Sequence, residues 1–164
     1  MAKKQGKKKN AAGDPNERIV AQNRKARHKF QVLDAIECGL VLWGSEVKSL
    51  RAGHVSLDEA YARMKDGEVW LVGCDIPEYA QASHFNHAPR RPRKLLLHRR
   101  EIRGFAARAY EKGLTLVPLK LYFKEGRAKL LLGLCQGLKK HDKREKMKKA
   151  EAQRAIQRQM LRRR

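Results

Sequence analysis

No apolar run in this chain approaches the roughly 18 residues of a transmembrane helix, and neither end carries the broad apolar face of a membrane-surface helix. The start of the chain also lacks the apolar core of a secretion signal, so a cytoplasmic protein is expected. Acidic residues are scarce, 17 against 39 Lys and Arg, which leaves a net charge of +22 and argues for a polyanionic partner. Cysteine is limited to Cys38, Cys74 and Cys135, an odd number, widely spaced in apolar runs. Neither a disulfide framework nor a zinc site fits that spacing, and reduced core residues do. There is no glycine-rich phosphate loop, no pair of histidines four apart and no Gly-x-Ser-x-Gly elbow. The only acid–base chemistry that can be assembled draws on His84, His87 or His141, and no spacing fixes any of them beside a partner. The chain reads as a binding protein that needs no cofactor or metal.

The positive charge is unevenly spread. Residues 1–29 carry ten basic and two acidic groups (+8), residues 30–136 seventeen and twelve (+5), and residues 137–164 twelve and three (+9). A moderately basic body therefore sits between two strongly basic ends. Residues 1–22, Lys-rich and broken by Gly6, Gly13 and Pro15, are expected to be a disordered arm. The tail from Gly137 to Arg164 repels itself in water and has little apolar area to offset ordering. Met147, Ala152, Ala155, Ile156 and Met160 are all compatible with helix, and Ala152, Ile156 and Met160 form a thin stripe at i, i+4, i+8. The tail is thus either a solvated basic extension or a segment that folds against phosphates.

Between the ends, the pattern is that of short strands. Asn23–Lys29 (NRKARHK) gathers Arg24, Lys25, Arg27 and His28 as a solvated run or an RNA-facing patch. From Phe30 the period becomes two, with Phe30, Val32 and Ile36 on one side, Gln31 and Glu37 on the other, and Gly39 as the stop; Leu40–Trp43 reads as a further short strand. In GSEVKSLRAG, Ser45 is placed to cap a two-turn helix, Glu46 suits its positive end, Gly53 ends it, and Lys48 and Arg51 point outward. Asp66-Gly67 predicts a two-residue hairpin between strands 57–65 and 68–76. The stretch 77–94 mixes Tyr79, His84, Phe85 and His87 with Arg90, Arg91, Arg93 and Lys94, a composition suited to stacking on unpaired bases or to anchoring the loop on the body. Residues 101–112 predict an amphipathic helix with Ile102, Phe105, Ala106, Ala109 and Tyr110 facing the core. A second hairpin spans 114–123 and 128–134, with Leu119, Leu121 and Phe123 opposite Leu130, Leu132 and Leu134 and an edge or bulge at Pro118.

Six short antiparallel strands with an interposed helix predict a small mainly-β barrel, closed or partly open, of the oligonucleotide-binding (OB) type. On such a body Glu37 stands as a single acid in a basic field. It can accept hydrogens from base amino groups or ribose hydroxyls, or pair with a cation of the protein itself.

NRKARHKF, the ECG that holds Glu37 and Gly39, GSEVKSLRAG, YARMKDGEV, RKLLLHRREI, KGLTLVPLKLYF and KKHDKRE, in this order and spacing, closely resemble small protein B, a family that partners transfer-messenger RNA in rescue of stalled bacterial ribosomes. The resemblance covers roughly Asn23 to Met147. It implies an OB-like barrel, a monomer with one copy per RNA, that grips the transfer-RNA-like domain. It also implies a tail that becomes helical in the empty messenger channel of the ribosome. It places Asn23, His28 and Glu37 on the RNA face, joined by Leu96 and His98. It places Gly137, Lys139, Lys140, His141, Asp142, Lys143 and Arg144 at the decoding centre of 16S ribosomal RNA. Members of the family often have Thr where Ser45 stands, and some have Trp where Ala152 aligns, which leaves Ile156 and Met160 as this chain's distal anchors. The competing expectation is a generic basic RNA-binding protein, such as a ribosomal protein or RNA chaperone, whose ends act by charge alone.

Overall fold

The computed structural model describes residues 17–82, 86–111, 113–138, 152 and 160. In chain order, β1 (Glu17–Gln22) leads into the short helix α1 (Arg24–Lys29), then β2 (Phe30–Leu40), α2 (Gly44–Arg51), β3 (Tyr61–Lys65), β4 (Glu68–Val72) and β5 (Arg93–Leu96). A helical stretch follows, made of α3 (Arg99–Glu101), a π-helical turn (Ile102–Ala106) and α4 (Ala107–Glu111), and the body ends with β6 (Thr115–Lys124) and β7 (Arg127–Gly137).

Two dipeptides set the local pairings. Asp66 and Gly67 have φ of 53° and 74°, and Glu125 and Gly126 have 51° and 75°, so each pair forms the doubly left-handed turn that matches strand twist. These turns fix β3–β4 from Lys65↔Glu68 and β6–β7 from Lys124↔Arg127. Four further pairings are long-range and antiparallel, β7 with β2, β2 with β5, β5 with β4 and β3 with β6. They run in a ring, with thin seams at Ala62↔Leu116 and at Gly39↔Leu96 and Leu40↔Leu95. The result is a partly open antiparallel barrel of the OB-like kind. Period-2 alternation sends Val69, Leu71, Leu95, Leu121, Leu130, Leu132 and Leu134 inward, where Leu50 of α2 and Phe105 of the π turn join them. Each such Leu or Phe contributes about 1.5–3 kcal/mol by leaving water.

Several expectations need correction. Glu17–Gln22 belongs to the fold rather than to the arm: it pairs with β6 from Glu17↔Lys124 to Gln22↔Lys120. The edge of β6 that β3 meets only at Leu116 leaves room there for an added strand. Leu40–Trp43 is not a separate strand, because Leu40 ends β2 and residues 41–43 lead into α2. The ring's sixth strand is β5, lifted from a stretch read as loop, so the sheet has seven described strands. Helix α2 starts at Gly44 with Trp43 as its cap residue, which moves Ser45 inside the helix. The helix expected over 101–112 begins at Arg99, and its π turn inserts a residue into the pattern. The phase of its apolar face shifts, Phe105, Ala106 and Ala109 stay buried, and Tyr110 is left 88 % exposed. Finally, the bulge expected near Pro118 falls between Pro118 and Lys120. It turns Leu119 away from Leu130 and into a small second cluster with Ala26, Phe30, Val117 and Cys135.

Candidate nucleic-acid interface

Strands β2, β5 and β7 meet the start of α3 around an open cleft of about 840 Å³, lined by Glu37, Leu96, His98, Arg127 and Lys129 among others. Glu37 is thus brought together with Leu96 and His98, which lie far from it along the chain. The local reasons are readable. Gly39 faces Leu96 across the β2–β5 seam, and a Cβ on it would stand 3.3 Å from Leu96 Cβ, so glycine lets Leu96 lie across β2. Leu96 remains 51 % exposed, an apolar contact offered to a ligand. His98 is exposed at the entry to α3, where its backbone N–H donates to Glu101 at 2.7 Å.

Glu37 is held from two sides. The Tyr122 hydroxyl on β6 donates to Oε2, and Lys129 Nζ on β7 lies 3.5 Å from Oε1. The Tyr122 hydrogen bond, helped by the charges of Lys129 and Lys124 and opposed by burial, holds the Glu37 carboxyl below the usual carboxylate range. Burial first, then the carboxylate it serves, pushes the Tyr122 phenol up. Glu37 therefore presents an ionised, oriented acceptor in the cleft, and it also forms the ion pair within the protein that the sequence left open. Tyr122 and Lys129 were missed in the sequence. Their outward parity beside Leu121, Phe123 and Leu130 was the available signal.

The basic run folds as α1, and its parts separate. Asn23 is buried; its Oδ1 accepts from the Ala26 N–H at 2.9 Å and its Nδ2 donates to the Leu57 carbonyl at 2.9 Å. It is a cap and a brace, not an RNA-facing group, because both ends of its amide are occupied inside the fold. Arg24, Lys25, Arg27 and His28 are exposed, with Lys25 2.6 Å from Asp58. On α2, Lys48 and Arg51 are exposed, and Lys48 Nζ sits 5.5 Å from the Tyr79 ring centroid.

Among the described residues, several of the loop's polar side chains turn inward. Arg93 is 0 % exposed, since it shares strand parity with Leu95 and so points into the barrel end. Its Nε donates to Glu46 Oε1 at 2.8 Å, and its other nitrogens reach the carbonyls of Cys74, Pro89 and Arg91. Of the two readings of this stretch, RNA contact or anchoring on the body, the buried Arg93 fits only the second. Arg91 grips the same carboxylate at 2.5 and 2.8 Å. Burial alone would raise the Glu46 pKa, but Arg91, the Trp43 amide and Arg93 together hold it below the ordinary range. His87 is buried between Ser45 Oγ and the Ile76 carbonyl, each 2.9 Å from a ring nitrogen. Arg90 pairs with Asp75 at 3.2 Å. Arg90 itself is exposed, and Lys94 is half-buried and paired with Glu68. His84 and Phe85 lie outside the described residues.

Gly137 is the last residue of β7, opposite Phe30, rather than the first of the tail. The Leu138 N–H then donates to the Lys29 carbonyl at 3.0 Å, so the tail departs beside α1. Ala152 and Met160 are helical and exposed. Lys139, Lys140, His141, Asp142, Lys143, Arg144, Met147 and Ile156 lie outside the described residues. Among the described residues no group of three His, Cys, Asp or Glu could hold a metal, and no helix is long and apolar enough to cross a membrane.

Residues 20–162 match the family model described as SmpB protein. An SsrA-binding protein of Rhodopirellula baltica is 56 % identical over 149 residues, covering 90 % of this chain and 85 % of that one. One from Acidothermus cellulolyticus is 52 % identical, covering 93 % and 96 %. A solved chain described as "tmRNA-SmpB: a journey to the center of the bacterial ribosome" superposes with a TM-score of 0.63 at 48 % identity, over 76 % of this chain and 92 % of that one. With the family model matched over most of its length and relatives at this identity, the chain belongs to the SmpB protein family.

Proposed function

We infer that this protein binds transfer-messenger RNA and carries it to stalled ribosomes for trans-translation. Its membership of the SmpB family carries that reading, and the relatives' name, SsrA-binding protein, states the RNA. The barrel grips the transfer-RNA-like part of the RNA through the cleft at Glu37, Leu96 and His98, with exposed cations of α1 and α2 and Lys94 on phosphates. Support comes from the convergence of an ionised acceptor, an exposed leucine and an exposed imidazole in one groove on a chain of net charge +22. A protein of this design acts by binding and positioning, not by catalysis, and works in the cytoplasm as a monomer. The basic tail, from Lys139 through Arg144 to Met147, Ile156 and Met160, probes the decoding centre and the empty messenger channel.

Capture of RNA from lysate by the tagged full chain, followed by sequencing, tests the reading. Transfer-messenger RNA should dominate, and its preference over bulk transfer RNA should persist as salt rises. Parallel loss of both RNAs with salt would instead leave a generic basic binder.

A further inference from the structure

Trp43 is a large aromatic side chain outside both the cleft and the core: it is 54 % exposed. Its position is nonetheless tightly determined. The backbone N–H donates to Glu46 Oε2 at 2.7 Å, and the Arg91 guanidinium carbon lies 4.4 Å from the ring centroid. Arg91 cannot leave that face easily, because both of its bonds to the buried Glu46 carboxylate are charge-assisted, and Arg93 fixes the carboxylate from within at 2.8 Å. One face of the indole is therefore covered by a locked cation, and the opposite face is offered to solvent.

The surroundings are suited to RNA. Val41, two residues before Trp43, is exposed, and its N–H donates to the Lys94 carbonyl on β5, two residues from Leu96 of the cleft. The exposed apolar groups Leu96, Val41 and Trp43 thus lie on joined segments, Leu96 opposite Gly39, Val41 bonded to Lys94 and Trp43 at the cap of α2, which also carries the exposed Lys48. A pinned ring backed by a guanidinium, on a chain of net charge +22, is a stacking surface for a nucleobase, because the rigid ring loses little freedom on binding.

We propose that Trp43 stacks on an unpaired base of the bound RNA, with Arg91 and Glu46 as positioning residues for the ring. The proposal rests on the RNA-binding reading above and extends that site beyond the cleft. Trp43→Leu keeps an apolar group but removes the π face, and Trp43→Phe keeps both in smaller form. With transfer-messenger RNA and the full chain, Trp43→Leu should lose roughly 5- to 150-fold in affinity, the range that one base–aromatic stack commands, and Trp43→Phe much less. The salt slope should stay that of the parent, since stacking releases no counterion. In a Trp70→Phe background, the emission of Trp43 should be quenched as RNA saturates the protein. Equal affinities for Leu, Phe and parent, or unquenched emission at saturation, would overturn the proposal and leave the indole for a protein partner. If the parent itself fails to prefer this RNA, the reading of the protein's function fails first and the stacking site with it.

Discussion

Tyr122 on β6 donates its hydroxyl hydrogen to Glu37 on β2 across the intervening strand β7. The bond makes a structural tyrosine responsible for the orientation of a carboxylate in the cleft. Glu37→Ala is therefore expected to weaken transfer-messenger RNA binding more than Lys48→Ala, because a directional acceptor is lost rather than one cation of a shared field. Tyr122→Phe should fall between them while the Glu37 carboxyl titrates at a higher pH. Gel-shift titrations at fixed salt, with NMR titration of Glu37, check both; equal losses for Glu37→Ala and Lys48→Ala would count against a specific role.

The Glu46–Arg91–Arg93 triad predicts a stability effect that can be read without RNA. Removing one partner of a buried ion pair strands the other, so Arg93→Met should cost about 3–5 kcal/mol in chemical denaturation. The pH dependence has a definite sign. Glu46 titrates lower in the folded protein than the roughly 4.3 of a free Glu, so its contribution is present above that value and lost as pH falls through the folded pKa. Glu46→Gln should therefore flatten the acid limb of the stability profile. An unchanged acid limb would mean that the carboxylate is not stabilised by its two arginines.

All three thiols should be silent in the native state. Burial pushes Cys38 up to about 12 and Cys74 and Cys135 up to about 11, so little thiolate exists at neutral pH. A disulfide-exchange reagent at slightly alkaline pH should modify none of them quickly, and all of them once denaturant is added. Rapid native labelling of any one would show that its part of the barrel opens.

The role proposed for the tail can be tested apart from the barrel's. The triplet Asp142, Lys143 and Arg144 carries a net charge of only +1. Replacing all three with Ala should leave barrel stability and most RNA affinity intact while abolishing peptide transfer on ribosomes with truncated messenger. Near-normal transfer, at matched RNA occupancy, would reduce the tail to bulk charge.

What could be read from sequence was what is local. Asp66-Gly67 and Glu125-Gly126 adopt the turns their chemistry demands, and Gly53, with φ of 86°, takes the left-handed position just past α2. The cleft residues Glu37, Leu96 and His98 came from motif resemblance, and the geometry that unites them depends on long-range pairing that no short window contains. The errors have a common origin. Arg93 and Asn23 are polar residues of types usually found at surfaces, and only the tertiary fold supplies the partners that let them be buried. Strand β5 was hidden because four residues of a Lys/Arg-rich stretch carry too weak an alternation to stand out from the loop before them.

The position of β7 sets a clock on the nascent chain. Its bonds to β2 span most of the sequence, with the Cys38 thiol meeting the Leu130 carbonyl across 92 residues. Such contacts form late, since the entropy of closing the intervening chain opposes them until the local hairpins exist. A polypeptide cut before Arg127 would leave β2 and β6 with open edges and no seam to join them. Because Leu138 is fastened to Lys29 only when β7 is in place, the basic tail gains its point of departure beside α1 only after the barrel is sealed. An unfinished molecule therefore has no fixed base from which to extend a tail, and assembly of the body precedes its use.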